Sequence, residues 1–345
     1  MRILAAREPG LVTAVRTEEV SPRQGTVVVE VAACGVCGSD LPVFRGQQHA
    51  DTVGYFGHEF SGVVSAVGEG VEDLRVGDRV ASGLLRTCGR CPRCLSGHPN
   101  YCVALKDVLS PGGFAERTLV RHGPAYSFLV PVPDGVPPEH AALHEPTSCA
   151  VRIVEQGPLR PGDRLAVIGL GPMGLLAALI ARSWGAGTVV GLDVADPRLA
   201  LAESLGIVPV DRRDEDWRGL TERALGIAGA DLVLETSGKP SAFEDALALA
   251  VLGGRVVVGS AYHERADLNL EPIMRKELSV TGAKGPFPRR VASGGSLAME
   301  LIASGGLPID NLVCTYPVEE AQRAFLDAAS GTVLKPMVRF PVAGW

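Results

Sequence analysis

Residues 167–174 read Val-Ile-Gly-Leu-Gly-Pro-Met-Gly, a G-x-G-x-x-G that follows the apolar run 164–168 and opens a helical pattern over about 173–184. A glycine turn between a buried strand and a helix belongs to a βαβ unit, which commits the chain to parallel strands joined by helical crossovers. Gly169 permits the tight turn, Gly171 lets backbone approach a pyrophosphate, and Gly174 lets the helix pack close on the strand. Pro172 and Met173 open the helix whose N-terminus would face the phosphates. The chain has 42 glycines, so the motif alone could be a packing cluster, and its context decides. Asp193 stands nineteen residues beyond Gly174, at the end of the next strand. A carboxylate there accepts both hydroxyls of a ribose and repels the extra phosphate of NADP, so the motif reads as a dinucleotide site that favours NAD. Arg198 could lie over the adenine, neutralise a phosphate, or be an exposed helix arginine.

The alternation continues with a strand at 188–192, a helix near 198–205, a strand at 231–235, a helix near 241–252 and a strand at 255–259. That is an α/β, doubly wound parallel sheet of Rossmann type. The first half differs in texture. The run 26–31 has four valines in six residues, and 60–67 and 78–81 are further apolar, β-branched segments separated by glycines, which predicts a partly open barrel or a sandwich. From about 285 the chain resumes with a helix at 296–304, a strand at 312–317, a helix at 318–329 and a strand at 335–340.

Cys88, Cys91 and Cys94, closed by Cys102, set four thiolates at spacings of two, two and seven, the pattern of an all-cysteine structural zinc site. Closed coordination leaves no position for substrate, so this metal should hold a loop while the chemistry lies elsewhere. Arg86, Arg90 and Arg93 are placed to offset the charge of about −2 that four thiolates leave around Zn²⁺. A disulfide cluster would suit a short secreted chain, whereas this one has 345 residues, 8 cysteines and no charged-then-apolar leader, which predicts a cytoplasmic protein. No apolar run has transmembrane length, and a net charge of −6 without a basic block argues against membrane and nucleic-acid partners.

Upstream lie Cys37-Gly38-Ser39-Asp40 and Gly57-His58-Glu59, and further on His144-Glu145-Pro146. With these, the four-cysteine loop and the glycine motif in order, nearly the whole chain resembles the zinc-dependent medium-chain dehydrogenase/reductase family, in its sorbitol, threonine and glucose dehydrogenase branch. The resemblance implies a GroES-like catalytic domain over 1–155 and 285–345 and a nucleotide domain over 156–284. It makes Cys37, His58 and Glu59 ligands of a second, catalytic zinc, and Glu145 a further ligand or a partner of zinc-bound water. Ser39 resembles the hydroxyl that takes the substrate proton first, and Asp40 a group that fixes the tautomer of His58. A turn hydroxyl and a solvated loop acid are the plainer readings of those two.

The implied reaction is oxidation of a secondary alcohol to a ketone, with zinc as Lewis acid and a nicotinamide as hydride acceptor. The implied substrates are polyols, sugars, cyclitols or amino alcohols, drawn into a pocket from 40–53, Tyr55, Ala115, Glu116 and 282–290. A homo-oligomer, dimer or tetramer, is the family expectation. Many relatives carry a proton-relay histidine where this chain has Pro42, so the relay is missing or rebuilt; His49 is the nearest replacement, or an exposed loop histidine. Counting Cys37, Glu59 and Glu145 against Zn²⁺ leaves about −1, so Glu59 should exchange with water at the metal during turnover. Cys34, Cys149 and Cys314 read as small core residues. Two other readings are a zinc-free quinone or enoyl reductase of the same superfamily, which has no use for the second ligand set, and a zinc-ribbon module fused to a nucleotide-binding domain.

Overall fold

The computed structural model describes residues 1–48, 56–83, 88, 90–103, 109–110, 112–122, 129–262, 264–285 and 296–345. The chain divides into two compact units, residues 1–146 with 290–345, and residues 147–289.

The first unit opens with a hairpin of β1 (Arg2–Glu8) and β2 (Leu11–Arg16). The valine run becomes β3 (Thr26–Gly35), whose residues are buried on both faces apart from the half-buried Glu30. A strand covered on both sides reads as a continuous apolar run, which is why these valines do not alternate with polar residues. Next come β4 (Glu59–Val67), β5 (Arg79–Ser82), β6 (Leu109–Ser110), β7 (Arg117–Arg121) and β8 (Leu129–Pro131). Helix α1 (His144–Gln156) follows and carries the chain from the first unit into the second.

The second unit is the predicted parallel sheet. Its strands are β9 (Leu165–Ile168), β10 (Val189–Asp193), β11 (Val208–Asp211), β12 (Ala230–Glu235), β13 (Ala250–Val258) and β14 (Ser279–Gly282). Helices α2 (Pro172–Ser183), α3 (Asp196–Ser204), α4 (Trp217–Leu225) and α5 (Pro240–Leu249) connect them. The strand order is β11-β10-β9-β12-β13-β14, which turns back on itself between β9 and β12. Ligands of such sheets bind outside the carboxyl ends of the strands at that reversal.

One boundary departs from the sequence expectation: α5 stops at Leu249, and β13 already begins at Ala250, where 255 was expected. The cause is remote in sequence. Lys276 donates from Nζ to the carbonyls of Leu247, Ala248 and Ala250 at 3.3, 2.7 and 2.9 Å, capping the helix end, and Gly253 turns the chain with φ +67°. Strands β11 (Val-Pro-Val-Asp) and β14 (Ser-Val-Thr-Gly) lack the unbroken apolar run that marks β9, so they do not announce themselves in the sequence.

The chain then supplies α6 (Leu297–Ala303), β15 (Val313–Pro317), α7 (Ala321–Ser330) and β16 (Lys335–Arg339) to the first unit. Its main sheet runs β15-β16-β3-β4-β5-β8, with β7 also on β3 and β6 on β7. Phe44, Phe56 and Phe114 surround Phe325 of α7 with ring centroids 5.5, 5.8 and 5.0 Å away, closing the core of that unit. Among the described residues no helix is long and apolar enough to cross a membrane.

Candidate active site and nucleotide site

Antiparallel pairing sets Gly35, the last residue of β3, opposite Glu59, the first of β4. A Cβ on Gly35 would lie 2.4 Å from Glu59 Oε2, so glycine leaves the room this carboxylate occupies. Cys37 sits in the turn just past Gly35, followed by the 3₁₀ turn Gly38–Asp40. The carboxylate of the fully buried Asp40 accepts the N–H of Cys37 at 2.9 Å and of Gly57 at 3.1 Å, fastening the turn that carries Cys37 to the one that carries His58. From the other side Ser82 Oγ accepts the N–H of Phe60 at 2.9 Å and donates to the carbonyl of His58 at 2.5 Å.

His144 holds Ser82 in turn, with Nδ1 2.9 Å from the Ser82 carbonyl and Nε2 2.6 Å from Ser296 Oγ. A carbonyl only accepts, so the network assigns the proton to Nδ1 and makes Nε2 the acceptor from Ser296. Burial pushes the His144 pKa down to about 4, against the pull of the Ser82 carbonyl.

The result brings Cys37 Sγ, an imidazole nitrogen of His58 and a carboxylate oxygen of Glu59 within 4.8 Å of one another. Burial opposes a proton on His58, yet Cys37, Asp40 and Glu145 together raise its pKa well above the ordinary range. Burial raises Asp40 to about 6, with His58 and the two backbone amides pulling the other way. A thiolate, an imidazole and a carboxylate in a cation-attracting, buried pocket fit zinc with a coordination position left over.

One residue of this site carried no signal in the sequence. Lys335, the first residue of β16, is 3% exposed and donates from Nζ to both oxygens of Glu59 at 2.8 and 2.7 Å. Burial works against its charge, but Glu59 and Cys37 outweigh it and the pKa rises. The charge count made from sequence omitted this cation and is corrected by it: with Lys335 the sum of about −1 becomes about neutral. A lysine opening an apolar strand looks like a strand end at the surface, and only the pairing of β16 with β3 brings it to Glu59.

The four cysteines of the other cluster also lie with sulfurs within 4.8 Å of one another. Cys91 and Cys94 sulfurs are 3.6 Å apart, too far for a disulfide and close to the ~3.8 Å edge of a tetrahedron with 2.3 Å Zn–S bonds. The N–H groups of Cys88 and Cys91 point at the sulfurs of Cys102 and Cys88, at 3.0 and 3.2 Å. Such bonds, first the amide of Val103, bring the Cys91 thiol down to about 6 and favour the thiolate that zinc needs. Arg90 and Arg93 are exposed beside the cluster, and Arg86 lies outside the described residues.

In the second unit Gly169 adopts φ +94°, and a Cβ there would fall 2.7 Å from the Ser237 amide nitrogen. At Gly174 a Cβ would be 1.9 Å from the Gly169 carbonyl oxygen, whereas Gly171 faces open space. Pro172 and Met173 begin α2 behind the Gly171 N-cap. Asp193 ends β10 and is 7% exposed; it accepts from the amides of Leu170 at 2.7 Å, Val194 at 2.7 Å and Ala195 at 2.9 Å, so it holds the glycine loop in place. Arg198 leans towards it at 3.5 Å, half-buried, and its Nε is buried with no hydrogen-bond partner. An open glycine cradle, a helix N-terminus and an orphaned guanidinium nitrogen together fit a phosphate-bearing nucleotide.

The remaining expectations are placed as follows. Ser39 is half-buried in the 3₁₀ turn and Glu145 is buried in the first turn of α1. His49 lies outside the described residues, as do 50–55 and 286–290 of the expected substrate pocket. The Glu116 carboxylate accepts from Arg2, with the backbone N–H and Nε both at 2.7 Å. Cys34 is a core residue and the half-buried Cys314 packs against the same core, while Cys149 is half-buried, so the core reading of Cys149 is corrected.

Residues 23–134 match the model of the alcohol dehydrogenase GroES-like domain, and residues 172–293 that of the zinc-binding dehydrogenase family. Sorbitol dehydrogenase of Bacillus subtilis (strain 168) is 32% identical over 86% of this chain and 85% of its own length. L-threonine 3-dehydrogenase of the same strain is 33% identical over 94% of each. A zinc-binding dehydrogenase of Sinorhizobium meliloti 1021, solved with NADP bound, superposes with a TM-score of 0.84 at 28% identity, covering 98% of this chain and 99% of that one. The chain therefore belongs to the zinc-type medium-chain dehydrogenase family, with its GroES-like and Rossmann-type halves, and is an oxidoreductase that uses zinc and a nicotinamide cofactor.

Proposed function

We propose that this protein oxidises a secondary alcohol of the polyol, sugar, cyclitol or amino-alcohol class to the ketone, with NAD as preferred hydride acceptor. Residues 1–146 with 290–345 carry the chemistry and residues 147–289 the nucleotide. The observation that carries the reading is the Cys37, His58 and Glu59 cluster, a three-donor set with Lys335 balancing its charge. These residues would hold the catalytic zinc, Glu145 standing by as a further ligand or water partner, and Cys88, Cys91, Cys94 and Cys102 would hold a second, structural zinc. When bound, the catalytic zinc supplies a Lewis acid that lowers the pKa of the substrate hydroxyl by several units.

The chain's own residues do the rest. Asp40 and Ser82 fix the two ligand-bearing turns against each other, and Ser39 would take the proton of the substrate hydroxyl while passing its own onward to solvent. Lys335 restrains Glu59, so an exchange between Glu59 and water at the metal has to break an ion pair. Asp193 supports NAD over NADP because it ends β10 beside the glycine loop, where its charge would repel a ribose phosphate. The thiolates that the two cysteine-bearing clusters would offer to zinc need a reducing setting, which supports the cytoplasm. A homo-oligomer is the state the resemblance favours. A panel of polyols, cyclitols and amino alcohols, followed by NADH absorbance with NAD and NADP in parallel, tests the reading; no turnover of any secondary alcohol would refute it.

A further inference from the structure

Glu235 ends β12 beside the strand-order reversal, opposite Ile168 of β9 and Val258 of β13, and is 0% exposed. Its carboxylate collects five donors. Oε1 accepts from the Ser237 amide at 2.7 Å, the Ser237 hydroxyl at 2.6 Å and the Gly238 amide at 3.1 Å. Oε2 accepts from the hydroxyls of Ser260 and of Tyr262, the latter at 2.5 Å. A buried carboxylate is costly to desolvate, and a fold that needed only a strand end here would use an apolar residue.

The donors come from the two loops that leave β12 and β13, so one side chain ties both. The first loop also lies against the glycine cradle: Thr236 Oγ1 donates to the Gly169 carbonyl at 2.7 Å, and Ser237 fills the space a Cβ on Gly169 would need. Because a carboxylate only accepts, Ser237, Ser260 and Tyr262 must all spend their hydroxyl protons on it. Their oxygens are left with lone pairs alone, one of those on Ser237 already taken by the Lys239 amide at 3.1 Å, on residues that are exposed (Ser237) or half-buried (Ser260, Tyr262). Asp193 and Arg198 sit on the β10 side of the reversal and mark the half that takes the adenine ribose. The loops after β12 and β13 therefore border the other nucleotide.

We infer that Glu235 is a positioning residue for the nicotinamide half of the cofactor, orienting three hydroxyls so that this wall of the crevice accepts hydrogen bonds from the ligand's ribose hydroxyls and carboxamide N–H. The inference rests on the dinucleotide reading of this unit. Glu235→Gln keeps the shape but turns one acceptor into a donor, so the hydroxyls can no longer all point inward.

The test is titration of the full chain with NADH and, separately, with ADP. In Glu235→Gln the dissociation constant for NADH should rise about tenfold or more, while that for ADP changes less than about twofold. Tyr262→Phe retains the carboxylate and removes one donor, and should give the same selectivity at about threefold, which keeps the test open if the Gln variant folds poorly. Equal weakening of NADH and ADP would make Glu235 a structural residue, and no change in either would overturn the role. If the unsubstituted protein bound ADP but not NADH, the inference alone would fall. Binding of neither would remove the dinucleotide reading and the inference with it.

Discussion

Lys335 places its ammonium nitrogen 2.8 and 2.7 Å from the two carboxylate oxygens of Glu59, with the side chains 4% and 1% exposed. The pair joins the last strand of the chain to the first residue of β4, next to the proposed metal ligands. Removing one member strands the other charge away from water. In the zinc-free protein Lys335→Met should therefore lower stability by about 3–5 kcal/mol in urea denaturation, and the double variant with Glu59→Gln should recover most of that loss.

His144 gives the fold a dependence on acid. Its pKa is about 4 in the folded protein against 6.5 ordinarily, so the unfolded chain takes up the proton first. The stability from keeping this imidazole neutral is fully present above pH 6.5 and is lost as pH falls towards 4, by about 3 kcal/mol in all. Urea midpoints measured across that window should slope downward with acid, and His144→Asn should flatten part of the slope. An unchanged slope would mean that other groups carry it.

At the four-cysteine cluster, Cys94→Ser should release one zinc and lower the thermal midpoint by several degrees or disturb assembly. The kcat of the protein that remains folded should stay within about threefold of normal, since a closed site holds structure rather than substrate. Metal analysis and turnover on the same sample decide this, and a loss of turnover at full stability would contradict it.

The proposed preference for NAD rests on the charge of Asp193. Asp193→Asn removes the charge that would repel a ribose phosphate and keeps one of the two oxygens that accept the Leu170, Val194 and Ala195 amides. The ratio of kcat/KM for NAD over NADP should fall by about tenfold or more, roughly 1.4 kcal/mol. Equal ratios in both proteins would assign the preference elsewhere.

Much of this molecule was legible in its sequence because its strongest signals are local. The glycine turn, the four cysteines and the apolar runs of β3, β9 and β10 each fall within a few residues, where spacing fixes geometry. What escaped depends on contacts distant along the chain. The end of α5 is set by Lys276, more than two dozen residues later, and the charge of the candidate metal site is completed by Lys335, 276 residues from Glu59. Glu235 escaped for a related reason: a glutamate at a strand end looks solvated until the loops after β12 and β13 close over it.

The central claim is that chemistry belongs to Cys37 and His58 while the four-cysteine loop is scaffold. Zinc content and NADH formation, measured together for the unsubstituted protein and for Cys37→Ala, address it most directly. We expect two zinc ions per chain falling to one, the four-cysteine site retained, and turnover reduced by about a thousandfold or more. A Cys37→Ala protein that kept both zinc ions, or that kept full turnover after losing one, would contradict the account.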